Sequence, residues 1–230
     1  MIATPDLSHI KREDYEKVYE PSEDTFLLLD ALEDDEKLIQ QLKPCVCLEI
    51  GSGSGCVTTL LAKIVGNKNA GKLVADKEAI FANIQQVFLT TDLNEFACET
   101  TRQTGLHNGI TQIEPVRTSL VDGIMPRLKN CIDILCFNPP YVVTTHEEVG
   151  SCGIEASWAG GIDGREVIDQ LLPLVKDILS PNGIFYLLLI NENKPDQVVQ
   201  LMKEVYRMDA KIIMERRAGR EKQFIVKITH

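Results

Sequence analysis

One junction limits this chain more than any other. The apolar run at residues 45–50 stops at Gly51-Ser52-Gly53-Ser54-Gly55, and a helical apolar pattern starts immediately afterwards, over 56–65. A short apolar run closed off by glycines reads as a buried strand, and alternating glycines permit a turn tight enough to pass it straight into a helix. The same alternation then recurs. Residues 86–91 read as a strand ending at Asp92, followed by a helix over 94–107 and a third strand near 113–116. A fourth strand covers 132–137, a helix 165–179, a continuously apolar strand 183–190 and a last helix 195–206. Upstream, Pro21-Ser22-Glu23-Asp24 opens a helix carrying Phe26, Leu27, Leu28, Leu29 and Leu32, with the proline and acids expected at a helix start.

Strands that alternate with helices predict a doubly wound α/β fold with a mostly parallel sheet. The unbroken apolar run at 183–190 suits a strand buried on both faces. Residues 211–214 and 224–228 flank Ala218-Gly219-Arg220 and predict an antiparallel C-terminal hairpin at one edge. No repeat or linker divides the 230 residues. The expected organisation is an unpatterned, loosely ordered arm over 1–18 and one domain over 19–230, with 66–85 reading as a partly helical insertion. The stretch 142–164 is long for a loop and carries five glycines, a combination that favours a functional role.

A formal net charge of -10 argues against duplex nucleic acid as a partner, because such a chain repels a phosphate backbone. The nearest basic cluster, Arg216, Arg217, Arg220 and Lys222, reads as a solvated hairpin tip, and residues 33–36 as an acidic surface stretch. Seven cysteines without a Cys-x-x-Cys pair read as small buried hydrophobes in a reducing compartment, not as a metal site. There is no secretory-type start and no apolar run of membrane-spanning length. The expectation is a cytoplasmic protein without a bound metal or membrane contact, with entry to the nucleus left open.

In such a sheet a ligand sits beyond the carboxyl ends of the strands, at the point where strand order reverses. The sequence Glu49-Ile50-Gly51-Ser52-Gly53-Ser54-Gly55 falls there. Its Gly-x-Gly-x-Gly spacing is not the dinucleotide fingerprint, since position 56 is Cys. Glu49 beside the turn suits an ammonium or sulfonium ligand better than a pyrophosphate, and S-adenosylmethionine is such a ligand. Asp92, ending the second strand, can accept both hydroxyls of a ribose; the alternative is that it caps the helix that follows.

Asn138-Pro139-Pro140-Tyr141 follows the fourth strand directly. Two prolines stiffen the exit and remove two backbone donors, leaving the Pro139 carbonyl and the Asn138 amide oxygen as acceptors. Together they can grip the two hydrogens of a planar –NH2 group while Tyr141 stacks on its face. The nitrogen of such a group is a poor nucleophile, and two aimed acceptors orient it and favour charge building on it. The bland alternative is a rigid strand-exit turn.

These two motifs together resemble those of the HemK-like glutamine N5-methyltransferases, and the eukaryotic release-factor branch most of all. Tyr19-Glu20-Pro21-Ser22-Glu23-Asp24-Thr25 is similar to that branch's N-terminal signature. Gly153-Ile154-Glu155-Ala156-Ser157-Trp158-Ala159-Gly160-Gly161 and Asp163-Gly164-Arg165-Glu166 are similar to its loop after the tyrosine. The resemblance implies a class I, Rossmann-like methyltransferase fold of seven strands. It implies methyl transfer from S-adenosylmethionine, leaving S-adenosylhomocysteine, to the glutamine of a Gly-Gly-Gln loop in a translation release factor. Thr25, Glu49, Gly51, Gly53, Gly55 and Asp92 would line the cofactor, with Asn138 between cofactor and substrate. Asn138, Pro139 and Tyr141 would form the substrate slot. Ser119-Leu120 stands where the family carries an Asp-Leu pair against adenine. The branch also implies a heterodimer with a small zinc-binding activator, for which the exposed edge beside the third strand is the expected docking surface.

Three other readings compete. Adenine-N6 DNA methyltransferases share the Asn-Pro-Pro-Tyr slot but need a basic DNA track and a base-flipping apparatus. A protein-lysine methyltransferase acts on a tetrahedral amine, which gains less from two planar acceptors. A fold retained without activity does not need Glu49, Asp92 and Asn138 intact.

Overall fold

The computed structural model describes residues 2–66, 86–150 and 154–230. In chain order the regular elements are α1 (Glu23–Asp34), α2 (Glu36–Leu42), β1 (Val46–Ile50), α3 (Cys56–Gly66), β2 (Val87–Asp92), α4 (Glu95–His107) and β3 (Ile113–Arg117). They continue as β4 (Ile132–Phe137), α5 (Glu166–Ile178), β5 (Leu179–Ile190), α6 (Pro195–Glu204), β6 (Asp209–Ala218) and β7 (Glu221–Thr229). The strands form one sheet in the order β3-β2-β1-β4-β5-β7-β6. The first five run parallel, while β7 is antiparallel to both β5 and β6. This is the expected doubly wound sheet with its antiparallel hairpin.

Alternation along each strand divides the core into two layers. Ile134 and Cys136 of β4 face the layer made by α1, α2 and α3, with Leu28, Leu32, Leu60 and Leu61. Leu135 and Phe137 face the layer made by α5 and α6, with Leu171, Leu172, Val175 and Met202. Strand order reverses between β1 and β4, where Ile50 pairs with Phe137. The Gly51–Gly55 turn and the Asn138–Tyr141 segment therefore leave the sheet side by side.

Several expectations are corrected. Residues 2–18 are not loosely ordered: Ile10 and Val18 are buried, and the backbone of Asp6 exchanges two hydrogen bonds of 2.8 Å with the Asn108 side chain. Asn94 Nδ2 donates to the Lys17 carbonyl at 2.6 Å. The arm binds through polar groups and scattered apolar residues, with Ile2 and Leu7 also packed against the core, and their irregular spacing shows no periodicity in sequence. Within residues 33–36, Asp35 is drawn off the surface, accepting from the Tyr186 hydroxyl at 2.8 Å and from Lys227 Nζ at 2.7 Å. The basic hairpin is not simply solvated, because Arg216 pairs with Asp30, and Lys222 with Glu215 at 2.9 Å. Cys47, Cys56 and Cys136 are buried as expected, whereas Cys131 is exposed. Apart from Gly66, the expected insertion at 66–85 lies outside the described residues, as does Gly153. Among the described residues, no helix is long and apolar enough to cross a membrane.

Candidate active site

A cavity of about 840 Å³ opens at the carboxyl ends of β1, β2 and β4. Its lining includes Thr25, Glu49, Gly51, Gly53, Asp92, Ser119, Leu120, Asn138, Pro139 and Tyr141. All the residues expected at the site therefore meet there, with one exception. Gly55 does not reach the cavity. It lies against α4, where a Cβ would stand 2.7 Å from Thr101 Cα, and its φ of +76° also favours glycine. Helix packing by itself requires a glycine at this place in the motif.

Two acids shape the β1–β2 end. Glu49 is 4% exposed. Its Oε2 accepts from the backbone N–H of Thr58 at 2.9 Å and from the Thr58 hydroxyl. Burial pushes its carboxyl up to about 8, against the two Thr58 hydrogen bonds, and the charge of Asp92 adds to the rise. Asp92 is also raised by burial, opposed by backbone N–H groups of Asn94, Gly53 and Leu93. Its Oδ2 accepts from Gly53 N at 3.1 Å and its Oδ1 from Asn94 N at 2.9 Å. The cap of α4 is Asn94, whose side chain accepts from Phe96 N. The alternative reading of Asp92 as that helix's cap is thereby removed. A carboxylate offers about four lone-pair positions, so Asp92 keeps capacity on both oxygens.

The β4 end has a different character. Asn138 Nδ2 donates to Asp24 Oδ2 at 3.0 Å, while Asn138 Oδ1 is buried without a partner. A buried acceptor left unpaired costs about 1–3 kcal/mol, which an incoming donor recovers. The Tyr141 and Tyr19 hydroxyls also donate to Asp24 Oδ2, at 3.1 and 3.0 Å. Burial and the charge of Asp24 raise the pKa of both phenols, so they remain donors. Asn193 Nδ2 ties the Tyr141 carbonyl (3.0 Å) to the carbonyls of Asp163 (3.0 Å) and Gly164 (3.2 Å). The loop after Tyr141 turns through short 3-10 segments and places Trp158 in the cavity wall. Sequence reasoning missed the roles of Asp24 and Asn193. Asp24 looks like an ordinary first-turn acid, and Asn193 like part of a polar loop.

The donor set fits S-adenosylmethionine. A buried acid, Glu49, and a half-buried one, Asp92, would suit a cation and a pair of hydroxyls, glycine backbone leaves room for a close ligand, and Asn138 adds an acceptor without a partner. Fold and cavity together define an S-adenosylmethionine-dependent methyltransferase of the Rossmann-like class. No protein-family model matches the chain. It is 44% identical over 227 residues to human "Methyltransferase HEMK2", covering 99% of this chain and 96% of that one. It is 38% identical to the eRF1 methyltransferase catalytic subunit mtq2 of Schizosaccharomyces pombe, over 99% of this chain and 96% of the relative. Among solved structures it is similar to the E. cuniculi Mtq2–Trm112 complex, which methylates the eRF1 termination factor. That match has a TM-score of 0.64 and 27% identity, over 92% of this chain and 98% of the other. The chain belongs to the HEMK2/Mtq2 family of HemK-like protein-glutamine methyltransferases.

Proposed function

We propose that this enzyme methylates the side-chain amide nitrogen of the glutamine in the Gly-Gly-Gln loop of a class 1 release factor. The observation that carries the reading is the buried, unpartnered Oδ1 of Asn138, a residue in the wall of the cavity that also holds Glu49 and Asp92. An amide hydrogen is the donor that this acceptor lacks. The eRF1-directed activities of the S. pombe relative and the E. cuniculi complex support the same substrate.

In this mechanism Asn138 Oδ1 and the Pro139 carbonyl accept the two amide hydrogens, and the Tyr141 ring covers the flat face. The amide lone pair is delocalised, so fixed acceptors do two things: they aim the nitrogen, and they favour the positive charge that develops as conjugation is lost. Asp92 would take the ribose hydroxyls, Glu49 the cationic end of the cofactor, and Gly51, Gly53 and Thr25 the remaining bed. Ser119 and Leu120 line the cavity where adenine is expected, with a neutral hydroxyl as the polar contact. S-adenosylmethionine supplies an electrophilic methyl group.

The partner in this reading is a small zinc-binding activator subunit. Support comes from the Trm112 complex of the E. cuniculi neighbour and from β3, a short edge strand beside exposed Leu106. A release-factor substrate supports a cytoplasmic site of action, with entry to the nucleus left open. To test the function, labelled cofactor is supplied to the chain and activator with three acceptors in parallel: release factor, adenine-bearing duplex DNA and a lysine-rich histone. Label confined to the release factor is expected. Preferential labelling of DNA or histone would replace the glutamine reading with the adenine or lysine one.

A further inference from the structure

We propose that Asp24 is the positioning residue of the amide slot, fixing which end of the Asn138 side chain faces the cavity. This rests on the reading of Asn138 as the group that receives the substrate amide. An asparagine side chain presents an acceptor on one side and donors on the other, and the two orientations are nearly identical in shape. Only one of them works in this slot.

Asp24 makes the choice. It is 2% exposed, in the first turn of α1. Its Oδ2 gathers Asn138 Nδ2 at 3.0 Å, the Tyr141 hydroxyl at 3.1 Å and the Tyr19 hydroxyl at 3.0 Å. Its Oδ1 accepts from Thr25 N at 2.6 Å. An ionised carboxylate only accepts. Turning Asn138 over would set its oxygen against a carboxylate oxygen inside a site where little water screens the repulsion. The amide is therefore held with Nδ2 on Asp24 and Oδ1 turned away from it, and that oxygen is left without a partner.

Capping accounts for only one of its oxygens: Ser22 holds the cap position of α1, and Oδ1 takes the first-turn N–H of Thr25, which leaves the three contacts on Oδ2 unexplained by the helix. Burying a carboxylate is costly unless donors surround it. Here the donors include both side chains that lead the strand exit, from residues 114 and 117 positions away. Asp24 thus joins the start of α1 to the end of β4 at the point where the substrate nitrogen is to be aimed.

The test is Asp24→Asn, which keeps the shape but can face Asn138 with either a donor or an acceptor. Turnover of release factor should fall about 100-fold, the scale of a misplaced reacting group, with S-adenosylhomocysteine affinity nearly unchanged. In an Asn138→Ala background the same substitution should cost less than about twofold more, because nothing remains to orient. Turnover within about threefold of wild type, or an equal loss in both backgrounds, overturns the inference. Wild-type turnover by Asn138→Ala would overturn the slot reading itself and this inference with it. Loss there combined with an unimpaired Asp24→Asn overturns only the positioning role. Should Asp24→Asn fail to fold, the wild-type protein still decides. The side-chain NH2 of Asn138, assigned by its disappearance in Asn138→Ala, should exchange with solvent far more slowly than surface asparagine amides. Equal exchange rates contradict the anchor.

Discussion

The two ends of the cavity are built on opposite plans. At the β1–β2 end each acid has a partner close by in the chain, Thr58 on Glu49 and Asn94 on Asp92, with the Gly53 turn of the neighbouring strand adding a third contact to Asp92. At the β4 end the functional amide is held by residues far away in the chain, Asp24 on Asn138 and Asn193 on Tyr141. In the proposed mechanism the first end receives the charged ligand. The second sets geometry, leaving one acceptor unpaired until a substrate arrives. Substitutions at one end should therefore change affinity, and at the other turnover.

The largest expected effect breaks the β4 end alone. Asn138→Ala should lower kcat roughly 100-fold or more, as when one preorganised polar contact is lost, while cofactor affinity stays near wild type. Asn138→Asp should not restore the rate, because it adds a charge without the anchored amide geometry. Steady-state kinetics paired with calorimetry checks both, and a near wild-type kcat would reduce the motif to a rigid turn. Next in size is Asp92→Ala, which should weaken cofactor binding by on the order of 2 kcal/mol through loss of a charged acceptor, with a smaller effect on kcat at saturation. Unchanged affinity in the folded variant would remove Asp92 from the ribose site.

This contrast also explains what was legible in the sequence. Among the described residues, strand–helix alternation marked all seven strands and five of the six α-helices, missing the short α2 beside Asp35. Glu49, Gly51 and Asp92 stood out because a turn between a strand and a helix leaves a local pattern. Asn138 and Tyr141 stood out for the same reason, through two adjacent prolines. Asp24 and Asn193 did not, since their partners are brought near only by the folded sheet. The N-terminal arm was misread because it docks through polar contacts and apolar residues at irregular spacing. The packing of Gly55 against α4 was not legible either, since spacing shows a glycine but not the helix that approaches it.

Two smaller effects sharpen the comparison. Gly55→Ala should cost about 1–3 kcal/mol of stability by forcing a side chain against α4, while the affinity of folded protein changes little. Thermal melting alongside calorimetry separates the two; a large loss of affinity without loss of stability would return Gly55 to the cofactor bed. Glu49 gives a pH signature. Its carboxyl sits at about 8 in the folded, cofactor-free chain against 4.5 ordinarily. Between those values the folded state binds a proton that the unfolded state lacks, so this contribution to stability is full below 4.5 and is lost as pH rises through 8. Glu49→Gln should flatten the fall in melting temperature across that window. Parallel curves for the two proteins would show that Glu49 is not held protonated by burial.

The central claim is that the acceptor left open on Asn138 is filled by the amide of a release-factor glutamine. Mass-spectrometric mapping of the methyl group after incubation of chain, activator, cofactor and release factor tests it most directly. The account predicts one methyl, on the side-chain nitrogen of the Gly-Gly-Gln glutamine. A methyl found instead on a lysine amine, with that glutamine unmodified, would contradict it.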